Sequence, residues 1–194
     1  AEMYFQPIAH GPVDIEWVDP SMPDPYWANV VSLLHFDGDA TDQRGIIWGE
    51  KTTPYYAAGG VSMSRALAGC IGTGYVSDLD VTGLDFTIEF YVKANDWSSW
   101  SKLNGSRHLP NAFGKMNGFG SDVNYWSFGP TQSGKLAFYA YNKGETVYLI
   151  TAGTVPTGKL THVSLVRSGN NMYASIGGVV EFIGVVGTID QGPP

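Results

Sequence analysis

The chain has 194 residues, 43% of them hydrophobic and 15% charged, with 25 glycines and a net charge of −7. That balance excludes a disordered polyelectrolyte and supplies one domain with enough apolar material for a large core. Its 11 Lys and Arg are scattered along an acidic chain, which excludes a phosphate-neutralising patch, so nucleic acid is not an expected partner.

Residues 1–25 read as an extended arm. Pro7, Pro12, Pro20, Pro23 and Pro25 forbid a helix and interrupt any long strand. Between them VDIEWV alternates, with Val13, Ile15 and Trp17 on one side, as a short edge strand would. Tyr4, Phe5, Ile8, Ile15 and Trp17 make the arm too apolar for a solvated leader, so it is expected to dock on a sheet edge or a neighbouring subunit. The opening AEMYFQP lacks a basic and apolar leader, and no run approaches about 18 apolar residues. The expectation is synthesis in a cytosol, without a signal peptide or membrane insertion.

Residues 26–194 read as one all-β domain. Residues 30–36, within VVSLLHFD, are expected as its first strand, followed by a turn rich in Asp37, Asp39 and Asp42. Short strands are expected at 46–48 and 61–63. Cys70 is a lone thiol, which rules out an intramolecular disulfide and reads as a buried structural residue. DFTIEFYVK, residues 85–93, is the clearest strand: Ile88, Phe90 and Val92 share one face, and Thr87, Glu89 and Tyr91 the other. Residues 95–122 read as long loops around a short strand at 112–116. Further strands are expected at 125–128, 135–141, 146–151, 161–167, 172–176 and 179–183, separated by Gly- and Asn-rich turns. Leu34, Phe36, Ile88, Phe90, Val92, Val163 and Leu165 are the expected core.

Three stretches carry a resemblance: DPYWANVVSLLHFDGDATDQRG, DLDVTGLDFTIEFYVKANDW and GKLTHVSLVRSGNNMYASIGGVV. They resemble the concanavalin A-like lectin/glucanase superfamily, and more narrowly its laminin-G-like jelly-roll branch as found in bacteriophage structural proteins. The resemblance implies a two-sheet antiparallel β-sandwich. It also implies a non-enzymatic virion module of tail, tail fibre or capsid surface. Other virion proteins, further copies of the chain and a host surface glycan would be its partners. A carbohydrate-binding lectin-like module is the first alternative, and a divergent glycan hydrolase the second. One departure stands out. Relatives continue past the last hairpin into a closing strand beside the first, whereas this sequence runs out at Pro194. The arm strand, a neighbouring chain or a shortened sheet would fill that place.

Catalytic signals are sparse. Glycosidases need two carboxylates about 5–10 Å apart, and the E-x-D-x-x-E pattern of the hydrolytic relatives is absent. Glu89 alternates with Thr87, Tyr91 and Lys93 rather than with acids, so it reads as a solvated or ion-paired residue. His10, His35, His108 and His162 are too dispersed for a metal motif. Asp37, Asp39 and Asp42 have the oxygen chemistry for Ca2+, against a turn in which Asp caps backbone N–H groups; no cofactor is otherwise expected. Trp97, Trp100, Asn104, Tyr125 and Trp126 combine aromatic faces with an amide, the chemistry of a sugar pocket. The same aromatics also suit a core or an interface.

Overall fold

The computed structural model describes residues 27–36, 39–50, 55–57, 60–62, 71–72, 76, 79, 81, 83–98, 113–116, 125–142 and 145–189. Its strands are β1 Gly49–Glu50, β2 Tyr55–Ala57, β3 Gly60–Ser62, β4 Ile71–Gly72, β5 Phe86–Val92, β6 Phe113–Met116, β7 Tyr125–Pro130, β8 Leu136–Asn142, β9 Glu145–Ile150, β10 Thr161–Ser168, β11 Asn171–Ile176 and β12 Val179–Val185. A 3-10 turn spans Trp27–Asn29. No described helix is long and apolar enough to cross a membrane.

Two four-stranded antiparallel sheets dominate. The first has the order β12-β11-β10-β5 and the second β6-β7-β8-β9. The long-range step is β5 with β10, in which Phe90 lies opposite Val163 and Ile88 opposite Leu165. The strand expected to lead the domain does not form. Residues 30–36 hold a single bridge, Leu34 to Asp42, and Phe36 adopts a left-handed backbone at φ 58. That conformation cannot continue a β-ladder. Residues 46–48 are likewise not a strand; the short ladder begins beyond them at Gly49. The sheet therefore ends at β5 among the described residues, and no described strand occupies the closing position. Instead Val186 donates its N–H to the Asn170 carbonyl at 2.8 Å, and Val186 and Ile189 are buried.

The core lies between the sheets. Val163, Leu165, Met172 and Ala174 from the first meet Trp126, Phe128, Leu136, Phe138 and Ala140 from the second. Phe90 places its ring edge-on to Phe128, with centroids 5.8 Å apart. Of the expected core, Val92, Val163 and Leu165 are buried, while Ile88 and Phe90 are half-buried and pack against it. Among the described residues β5 lies at the edge of its sheet, so its inward side chains have described neighbours on one flank only. Leu34 and Phe36 are partly exposed, because no ladder seats them between the sheets.

Two glycines with positive φ mark close approaches. A Cβ on Gly184, at φ 144, would stand 2.7 Å from Leu149 Cδ2, so a side chain there would push the Leu149 tip aside and hold a strained backbone. A Cβ on Gly134, at φ 75, would strike the Trp97 ring at 2.8 Å. That ring donates Nε1–H to the Val155 carbonyl at 2.8 Å, and Val155 N–H returns a bond to the Gly134 carbonyl.

Candidate functional site

The period of two on β7, β8 and β9 sends one set of side chains into the core and the other outward. Trp126 and Phe128 go in; Tyr125 and Ser127 go out. On β8, Leu136, Phe138 and Ala140 go in, and Ala137, Tyr139 and Tyr141 go out. On β9, Val147 and Leu149 face in and Tyr148 and Ile150 out. The register sets Tyr125 opposite Tyr141 and Ser127 opposite Tyr139, and Tyr139 opposite Tyr148. Four tyrosines therefore share one outer face.

Tyr125, Tyr141 and Tyr148 show at this face around a buried Tyr139. Tyr125 stacks on Tyr139 at 5.5 Å and on Tyr141 at 5.4 Å, with ring planes within 24° of parallel. Tyr139 meets Tyr148 edge-on at 6.3 Å. The Tyr125 hydroxyl donates to the Tyr139 hydroxyl at 3.3 Å. Ser127, Ala137 and Tyr139 are buried beneath, whereas Tyr148 is 45% exposed. Partial burial pushes the Tyr148 phenol above its ordinary value, so it stays a neutral donor and acceptor across the physiological range. The outward positions of β7, β8 and β9 carry no carboxylate, so these strands bring no acid–base pair to the face.

The structure divides the aromatics expected at a sugar pocket. Tyr125 is on this face. Trp97 and Trp126 are not: at 5% and 3% exposure both belong to the core. Parity sends Trp126 inward beside Phe128, and the Val155 carbonyl holds Trp97 beneath the turn at Gly134. This corrects their assignment as ligand-facing residues. Trp100 and Asn104 lie outside the described residues, as do Cys70 and the arm residues Tyr4, Phe5, Ile8, Ile15 and Trp17. Tyr139, Tyr141 and Tyr148 were not anticipated. Their signal was present in LAFYAYN and TVYLI, where the tyrosines fall on a common parity once the strands pair.

The aspartate turn is an anchor. Asp42 Oδ1 accepts from Leu33 N at 3.3 Å and Arg44 N at 2.6 Å. Its Oδ2 accepts from the Ser32 hydroxyl and from Trp48 Nε1 at 2.9 Å. Asp39 caps Thr41 N at 2.8 Å, and Asp37 lies outside the described residues. Both Asp42 oxygens face hydrogens, which does not fit a calcium ligand, and no group of three metal-ligating side chains occurs among the described residues. Chelation by EDTA is expected to leave the melting temperature unchanged. A fall of several degrees that calcium reverses would put an ion here after all.

On the outer face of the first sheet, Glu89 pairs with His162 at 3.2 Å, and Tyr91 lies against the imidazole at 5.0 Å. Ser164 and Ser175 share a hydrogen bond at 2.8 Å. His35 is exposed and lies on no strand.

Residues 72–191 match a laminin-G-like family model of the concanavalin A-like lectin/glucanases superfamily. The chain belongs to that superfamily. The matched span takes in both four-stranded sheets, from β5 to β12. No curated protein and no solved structure matches the chain. Membership accounts for the jelly-roll sandwich. It leaves the ligand open, since one fold carries many functions.

Proposed function

We propose that this chain is a non-catalytic binding module whose tyrosine face meets a carbohydrate. It would be carried on a bacteriophage virion, at the tail, tail fibre or capsid surface, where it serves assembly or attachment to host glycans. The observation that carries the binding reading is the face itself: Tyr125, Tyr141 and Tyr148 show around the buried Tyr139, with no carboxylate among them. Aromatic rings offer flat apolar area to the C–H faces of a sugar, and phenol hydroxyls offer polar handles at the rim. Without paired acids such a surface holds a glycan rather than cleaving it. The virion setting rests on the sequence resemblance to phage jelly rolls and on the apolar arm.

A glycan array of bacterial surface polysaccharides tests this. The protein is expected to bind a narrow set, and Tyr148→Ala to weaken that binding about tenfold, near 1.4 kcal/mol, without changing the melting temperature. Tyr148 is the exposed member, so its loss opens no cavity. Binding unaffected by Tyr148→Ala would move the ligand to another face. An array with no binding at all would leave assembly as the module's role.

A further inference from the structure

The tyrosine face carries no charge of either sign on its three strands. Beyond the tyrosines, its outward positions hold Ser127, Gly129 and Ala137 on β7 and β8, and Thr146 and Ile150 on β9. Glu145, at the head of β9, falls on the parity of Val147 and Leu149, which pack on the core. Lys135 precedes β8 on the outward parity, four residues from Tyr139. At about 3.3 Å per residue that is about 13 Å, beyond the screening length of about 8 Å at physiological salt. The rings are unequally available. Tyr125 is stacked on both Tyr139 and Tyr141. Tyr148 is turned 64° from Tyr139 and is 45% exposed. Thr146 and Ile150, its outward neighbours along β9, are exposed as well. The open part of the face is therefore a row on β9 with a ring at its centre, a hydroxyl on one side and an aliphatic group on the other.

We propose that the ligand of this face is an uncharged glycan, a polymer of neutral or N-acetylated hexoses, laid along β9 with one sugar on Tyr148. The inference rests on the glycan reading above and narrows its substrate class. An acidic polysaccharide is disfavoured in three ways. Its carboxylate or phosphate would lose water with no cation on these strands to replace it. The flat side of an aromatic ring is the negative end of its quadrupole and repels an anion. A net charge of −7 opposes the approach of a polyanion. An amine-bearing glycan gains from the last two, but it meets no carboxylate on the face. Its attraction is that of the whole acidic protein, which salt removes. A neutral sugar meets none of these obstacles. Its C–H face covers the Tyr148 ring, its hydroxyls reach the phenol and the Thr146 hydroxyl, and Ile150 takes an apolar edge.

The test sorts the array of bacterial surface polysaccharides into neutral, acidic and amine-bearing members and reads it with the full chain at about 50 mM and about 500 mM NaCl. Neutral members are expected to bind, with a Kd that changes less than about twofold between the two salts. Acidic members are expected to stay unbound at both. Thr146→Lys places a cation beside Tyr148 at an exposed position. With circular dichroism unchanged, it should bring binding of polygalacturonate at the lower salt that the higher salt abolishes. Binding of acidic or amine-bearing members alone by the parent overturns the uncharged class and leaves the glycan reading standing. So does neutral binding that weakens about tenfold or more at the higher salt. A folded Thr146→Lys protein with the parent's selection overturns the placement along β9. An array without any binding removes this inference and the glycan reading together.

Discussion

Replacing Phe128 by Ala is expected to lower folding stability by about 3–5 kcal/mol. Phe128 sits mid-strand on β7 and is fully buried. It lies opposite Phe138 in its own sheet and against the edge of Phe90 from the other. Truncation therefore removes contacts in both layers at once, and the flanking strands cannot close the gap without breaking their ladders. A domain of ordinary stability, about 5–15 kcal/mol, would lose a large fraction of it. Urea denaturation should show an earlier midpoint at an unchanged slope. Phe90→Ala should cost less, because Phe90 is only half-buried on the edge strand. A loss below about 1 kcal/mol for Phe128→Ala would mean the two sheets do not share this core.

Asp42→Ala is expected to cost about 2–4 kcal/mol, because it strands the Ser32 hydroxyl, the Trp48 indole N–H and the backbone N–H groups of Leu33 and Arg44 together. Asn should restore little: its NH2 would face one pair of donors with a third. The pH dependence follows from the same contacts. Burial pushes the Asp42 carboxyl upward, but the bonds from Ser32, Trp48, Arg44 and Leu33 outweigh it and hold the group below its ordinary value. A lowered folded-state value stabilises the fold above the unfolded carboxylate range, near pH 3.9, and the benefit is lost as pH falls through the lowered value. Asp39 and Asp96, capped by Thr41 and Ser98, shift the same way at the exposed surface. Acid unfolding curves should thus be shallower for Asp42→Ala than for the parent. Identical acid limbs in the two proteins would remove Asp42 from its role as anchor of the 32–48 segment.

Local pattern sufficed for β5, β10, β11 and β12. DFTIEFYVK and THVSLVR alternate cleanly, and Gly-Asn and Gly-Gly turns bound the hairpins. It failed for residues 30–36, where VVSLLHF has equal strand character. A strand needs a partner as well as a pattern, and here Leu34 finds only Asp42. The aromatic residues divided for a similar reason. Trp97 and Tyr125 have comparable neighbours in sequence, yet the Val155 carbonyl, 58 residues from Trp97, draws one inward. The tyrosine face requires three strands in register, and no single segment displays it.

The sequence by itself determined where β5 and β7 to β11 run and which of their residues share a side, because a pleated backbone alternates wherever no bulge interrupts it. Which side turns inward was decided only by the tertiary structure. On β8, Leu136, Phe138 and Ala140 oppose Ala137, Tyr139 and Tyr141, and either set is apolar enough to bury. Packing against Val163, Leu165 and Met172 of the other sheet selected the first set. Of the second set, Ala137 and Tyr139 are buried as well, and the Tyr139 hydroxyl accepts from Tyr125, since a phenol buried without a partner costs more than its ring gains.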